Sequence, residues 1–156
     1  MTSFRAVFGA ALLVACIDQS ALATTQNVIF NGTITATCTL VVATNGTMTV
    51  SPDLQSLSSH NSGGLAGTVT LTTTGGVSLS VDPVTITTVP AADTTSTTWT
   101  PTYSAAGTHS IAETGSATSL GTPGADLVSV NLAGTKGGSN RFASGNYQAT
   151  VTVRCE

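Results

Sequence analysis

The residues with the clearest chemistry in this chain are its three cysteines, Cys16, Cys38 and Cys155. Cys16 lies in an apolar N-terminal stretch, so Cys38 and Cys155 are the two that remain if that stretch is removed on export. Two cysteines in an oxidising compartment are expected to pair. Closing a loop of roughly 100 residues stabilises a fold by about 4–5 kcal/mol in the chain-entropy model. The alternative is two buried free thiols. A disulfide requires the two Cα atoms to lie within about 7 Å.

The histidines, His60 and His109, both lie in polar stretches rich in Gly and Ser. A metal site would need further ligands to converge on them, and no carboxylate has ligand spacing. The carboxylates considered are Asp53, Asp82, Asp93, Glu113 and Asp126. We therefore expect exposed loop histidines, no metal and no cofactor.

Signatures of catalysis do not occur in the sequence. Serines are abundant, but there is no G-x-S-x-G nucleophile elbow. No pair of carboxylates suggests glycoside hydrolysis. We therefore expect a protein without catalytic residues, not an enzyme.

The two aromatic residues Trp99 and Tyr103 stand on one side of an alternating stretch, with Pro101 between them. If both were exposed, they could form a platform on which a sugar stacks. If both faced inward, they would fill the core of a β-sandwich. The sequence leaves both interpretations open.

Composition and charge exclude some classes of partner. The chain has 156 residues, enough for one domain. Only 7% of them are charged, and the net charge is −3. Beyond the N-terminus the basic residues are Lys136, Arg141 and Arg154. A nucleic-acid surface needs several clustered basic side chains, so none is expected.

Residues 1–23 have the pattern of a bacterial-type signal peptide. Arg5 precedes an apolar run that is too short to span a bilayer, and Ala21-Leu22-Ala23 is an A-x-A cleavage site. Cleavage would leave residues 24–156 as a single exported domain, at the cell surface, extracellular or periplasmic. A competing interpretation is a lipobox, Leu13-Val14-Ala15-Cys16, which would make the chain a lipoprotein anchored through Cys16.

The remaining chain predicts an all-β fold. In the last strand Tyr147, Ala149, Val151, Val153 and Cys155 alternate with polar residues, as in a strand with one face on a core. A longer alternation covers 26–42 and predicts a first strand. Asn45-Gly46 and Gly75-Gly76 predict hairpin turns. Seven to nine such strands predict an immunoglobulin-like antiparallel β-sandwich.

The two ends of this pattern resemble a known family. Phe30–Leu40 (FNGTITATCTL) contains G-x-[IV]-x-x-x-C, and Gly145–Val153 (GNYQATVTV) has a matching closing strand. Both are similar to bacterial fimbrial pilins of the chaperone–usher type and to the related spore-coat-U-like secreted domains. In that family the first-strand cysteine commonly pairs with one in the next strand of the sheet. Here the corresponding stretch, 68–73, has threonines in its place.

The resemblance implies an unfinished sandwich, in which the N-terminal extension of another subunit supplies the missing strand. Val28, Phe30, Gly32 and Ile34 would be the donor strand. The alternative is one bent strand inside a self-contained sandwich. A Cys38–Cys155 bridge favours this alternative, because it draws together the strands that border a pilin groove.

From these observations we expect a non-enzymatic, exported cell-surface protein that acts in self-association or adhesion, as a pilin-like subunit of a fimbrium. Its partners would be copies of itself or other pilus subunits, and a periplasmic chaperone. The second hypothesis is a self-contained extracellular module that binds carbohydrate or another surface, with Trp99 and Tyr103 as its platform.

Overall fold

A computed structural model describes residues 24–156, and these are all-β, without a helix. The predicted all-β class is confirmed, although the structure divides the strands into twelve shorter segments. The strands are β1 Cys38–Thr44, β2 Thr49–Val50, β3 Ser56–Ser58, β4 Gly67–Thr73, β5 Val77–Val81, β6 Ile86–Thr88, β7 Thr97–Gly107, β8 Ile111–Thr114, β9 Thr118–Leu120, β10 Gly124–Lys136, β11 Gln148–Thr150 and β12 Val153–Cys155. The predicted signal peptide and the lipobox with Cys16 lie outside the described residues.

The larger sheet has seven strands and is built around β10. One edge of β10 pairs along its length with β7, which pairs in turn with β8. The other edge is shared by two shorter strands, β4 first and then β3. Outside these lie β1, paired with β4, and β2, paired with β3. All these pairings are antiparallel.

The second layer contains the last strand of the chain. β12 pairs with β5, which pairs on its other side with β9. β11 pairs with β6. The last strand is therefore divided into two segments that run along β5 and β6.

The core between the layers is apolar. Its fully buried side chains are Leu71, Leu79, Tyr103, Leu120 and Val128. The hydroxyl of Tyr103 donates to the carbonyl of Leu79 at 2.9 Å within this core, and it lies 2.8 Å from Thr118 Oγ1. A buried phenol needs such partners, so Tyr103 joins the layers by polar as well as apolar contact.

The prediction of a first strand from Gln26 is wrong for residues 26–37, which form no strand and are exposed. Thr33–Glu156 forms one compact unit, and every strand belongs to it. Alternation gives a segment an apolar face, but a strand also needs a neighbour to pair with. The regular strand begins only at Cys38.

The two predicted hairpins are also wrong. β1 and β2 do not pair across Asn45-Gly46; a Cβ at Gly46 would lie 2.8 Å from the backbone nitrogen of Gly67, so glycine permits a close backbone approach there. Gly75 and Gly76, with φ of 82° and 74°, connect β4 to β5 in the other layer. Turn residues fix where a chain reverses, but not which strand it then joins.

Nowhere in residues 24–156 is there a helix with the length and apolar character needed to cross a membrane.

Candidate functional site

The sandwich is open along one side, where a groove of about 760 Å³ runs between the two layers. Its lining includes Leu40 of β1, Val69 of β4 and Leu132 of β10, all from the larger sheet. From the second layer, the lining takes the last stretch of chain, Gly145–Val151, together with Val153. The groove therefore separates the first strand from the last.

Both strands that border the groove have an unpaired edge. Among the described residues β1 pairs only with β4, whereas β11 and β12 pair only with β6 and β5. Such an edge presents backbone N–H and C=O groups that can bind a further strand. The groove thus offers hydrogen-bonding edges together with apolar side chains such as Leu40, Val69 and Val151 in a lining that also includes polar residues.

The last strand has the predicted alternation but not the burial of a finished core. Tyr147, Ala149, Val151, Val153 and Cys155 are all half-buried, and the polar residues between them are exposed. Val151 and Val153 pack against the core cluster without being enclosed by it. The inner face of this strand therefore remains open to an additional apolar partner.

The predicted disulfide is confirmed, since Cys38 and Cys155 are bonded with their Cα atoms 6.1 Å apart. It joins β1 to β12 at one end of the groove. The bridge draws the first and last strands together, as expected, and a self-contained sandwich stays a prediction. The bridge ties the two strands at a single point, and the groove is lined by the residues that follow Cys38 and precede Cys155.

At the other end, the apolar surface continues into a second cavity of about 360 Å³. The two cavities share Leu57, Gly145 and Tyr147, and the second is also lined by Leu54 and Phe142. A chain lying in the groove could therefore continue past Gly145 over an apolar surface.

Beside this second cavity lies a buried ionic cluster that the sequence analysis did not find. Lys136 Nζ is fully buried and lies 2.7 Å from Asp93 Oδ1. The hydroxyl of Tyr147 donates to Asp93 Oδ2 at 2.6 Å, and the Lys136 ammonium lies 4.9 Å from the centre of the Phe142 ring. The pair is distant in sequence and has no local pattern, so only the fold brings it together.

These contacts keep the Asp93 carboxyl group ionised. Burial alone would raise the pKa of this carboxyl, but hydrogen bonds from Lys136 and Tyr147, with further ones from Thr95, lower it from 3.8 to about 2. Burial and the neighbouring Asp93 charge raise the pKa of Tyr147 to about 12. Asp93 is therefore a carboxylate, and Tyr147 a neutral phenol, over a wide range of pH.

The residues of the suggested donor strand are strongly exposed. Val28 is 75% exposed, Phe30 92% and Ile34 85%. Gly32 has no atom within 4 Å of where its Cβ would be. Large apolar side chains in water are costly, so this segment has an apolar face to bury.

The structure contradicts the prediction of a ligand platform formed by both Trp99 and Tyr103. Tyr103 is fully buried, so it cannot stack against a ligand. Trp99 lies on the same face of β7 and is half-buried, with its ring against Gly134. The structure thus places Tyr103 in the core, whereas Trp99 is partly exposed and is not a member of the core cluster.

The histidines have specific partners. His60 Nε2 lies 2.8 Å from Glu113 Oε1 at the surface. His109 is half-buried rather than exposed, because its ring Nδ1 lies 2.7 Å from the buried carboxylate of Asp126. No group of three or more His, Cys, Asp or Glu residues within 24–156 could hold a metal ion.

In comparison with known proteins, no family model, no curated protein and no solved structure matches this chain.

Proposed function

We propose that this protein is an exported, pilin-like structural subunit that associates with copies of itself by strand addition. The observation that carries the proposal is the groove, lined by apolar and polar residues together and bordered on both sides by unpaired strand edges. A segment lying in it would gain backbone hydrogen bonds from the edges and bury its side chains on the floor. Export through residues 1–23, with a periplasmic chaperone covering the groove before assembly, completes the proposal.

The chemistry of segment 24–36 suits such a groove. The segment has no charged residue; Phe30, Gly32 and Ile34 alternate with the polar Asn31 and Thr33, and Ile29 interrupts the alternation between Val28 and Phe30. A strand with this pattern presents one apolar face. The three large apolar residues among them are exposed in the single chain, so they have most to gain from burial.

One chain that carries both a donor segment and a groove associates head to tail. Such a contact does not close on itself unless a ring forms, and therefore generates open filaments. This geometry favours a structural role over a binding module that acts as a monomer.

The test is a pair of substitutions on opposite faces of the donor segment. Phe30→Asp places a charge on the apolar face and should abolish association, because burying an unpaired charge is strongly unfavourable. Asn31→Asp adds the same charge on the polar face and should leave association intact. Light scattering after size-exclusion chromatography and electron microscopy of the exported protein measure the outcome. A wild-type chain that remains monomeric at high concentration would refute the proposal.

A further inference from the structure

We propose that the Cys38–Cys155 disulfide makes the groove blind at one end, so that it accepts a strand only as a free N-terminus in one register. The inference rests on the proposed function and specifies its partner: the N-terminal segment of a second copy, after removal of the leader.

The geometry at the bridge leaves no room for a strand. Paired strands lie about 4.8 Å apart, so a strand between two others needs them roughly 9–10 Å apart. The Cα atoms of Cys38 and Cys155 are only 6.1 Å apart and are covalently joined through their side chains. A strand in the groove must stop at this point.

The opposite end is open. There the groove meets the second cavity at Gly145 and Tyr147, and the apolar surface continues towards Phe142. The donor segment is attached to the body of its own subunit after residue 36. Its C-terminal end must therefore leave the groove through the open end. Its N-terminal end therefore points at the disulfide, and the donor runs antiparallel to the last strand.

Side-chain sizes select the register within this direction. If Phe30 lies opposite Ala149, then Gly32 falls opposite Tyr147 and Ile34 opposite Gly145. Phe30 and Ile34 then meet small neighbours and Tyr147 faces a glycine, as a packed interface requires, while Val28 lies opposite Val151. Ile34 is placed at the second cavity, which Gly145 also lines.

The same register places Thr24 opposite Cys155, at the blind end. Thr24 is the first residue after the predicted cleavage site at Ala23. A chain that still carried its leader would have to pass through the disulfide. Leader removal would thus be a condition for donating the strand, and the bridge would enforce it.

The experiment uses the exported chain with Phe30→Asp and an intact disulfide as acceptor, so that its own segment does not compete. Three synthetic peptides with a C-terminal fluorophore are compared by anisotropy. The first is segment 24–36, the second adds Ser20–Ala23 at its N-terminus, and the third adds an equal number of Gly and Ser residues at its C-terminus. We expect the second peptide to bind about tenfold or more weakly than the first, and the third to bind like the first.

A second acceptor, Cys38→Ser/Cys155→Ser with Phe30→Asp, tests the cause, with its fold checked by circular dichroism. Removing the bridge should restore the binding of the second peptide relative to the first. Equal binding of the first two peptides to the intact acceptor would overturn the blind end and leave the proposed function standing. Weak binding of the second peptide to both acceptors would overturn the role of the bridge. No binding of any peptide would overturn the proposed function and this inference with it.

The register has its own test, which does not depend on the cysteines. Ala149→Phe in the acceptor should abolish binding of segment 24–36, and Phe30→Ala in the peptide should restore it. Thr152→Phe in the acceptor, at an exposed position that does not line the groove, should have no effect. A failure of the rescue would overturn the register.

Discussion

The two halves of the sandwich are held together in different ways. In the closed half, Tyr103, Leu71, Leu79 and Val128 are fully buried and fill the space between the layers. In the open half, Leu40, Val151 and Val153 have the same apolar character but are only half-buried along the groove. The closed half is stabilised by packing, whereas the open half is stabilised by the contacts at its two ends.

Those end contacts are of two kinds. The Cys38–Cys155 disulfide joins the bordering strands at the blind end. At the other end the buried Lys136–Asp93 pair, with the Tyr147 hydroxyl, fixes the start of the last strand. A fold can therefore keep a groove open to a partner if a disulfide and an ion pair hold the strands on either side of the groove in place.

The largest effect is expected at the ionic cluster. Lys136→Met leaves the Asp93 carboxylate buried without its partner and should lower the free energy of unfolding by about 3–5 kcal/mol. Urea denaturation of the monomeric Phe30→Asp background measures it. The matched control is the double variant Lys136→Met with Asp93→Leu, which removes both charges. Its free energy of unfolding should fall by less than that of the single variant. If Lys136→Met lowered the free energy of unfolding by less than about 1 kcal/mol, the ion pair would not hold this end of the groove together.

A matched pair of valines tests the contrast in packing directly. Val128→Ala, in the closed half, should cost about 2–3 kcal/mol, since it removes buried methyl groups and leaves a cavity. Val151→Ala, in the groove, should cost less than about 1 kcal/mol because its side chain is only half-buried. Adding the donor peptide should raise the cost at Val151 and leave that at Val128 unchanged. If both substitutions lowered the free energy of unfolding of the free chain equally, the two halves would not differ in packing.

The buried Asp93 carboxylate also makes the stability depend on pH. The folded pKa of Asp93 is about 2, below its ordinary 3.8, so the unfolded chain binds a proton more readily. The stabilisation is therefore complete above about pH 4 and is lost as the pH falls towards 2. Urea midpoints across this range should fall for the parent and fall less for Lys136→Met with Asp93→Leu. An equal decline in both would assign the effect to other carboxyls.

The sequence was informative where local pattern and composition decide the structure. The alternation at Tyr147–Cys155 correctly predicts which side chains of the last strand point inward. The cysteine count correctly predicts the disulfide. The sequence failed at Gly75-Gly76, where the turn signal predicts a hairpin but the chain passes from β4 to β5 in the other layer. A turn is a local property, but the strand that receives the chain is chosen by burial across the whole fold.

The alternation over 26–42 failed for a related reason. It has one period throughout, yet only the part from Cys38 is a strand in the single chain. The pattern marks a segment that can bury one face, and it does not say whether the partner lies in the same molecule. The groove and the exposed Val28, Phe30 and Ile34 together point to a partner elsewhere.

The sequence by itself determined an all-β chain, the inward face of its last strand and the pairing of Cys38 with Cys155, because period, β-propensity and thiol count act locally or by elimination. Only the tertiary structure decided that the bridge leaves a groove beside it, that Tyr103 is buried, and that Lys136 meets Asp93. These depend on which strands become neighbours, and contacts between residues far apart in the chain leave no pattern along it.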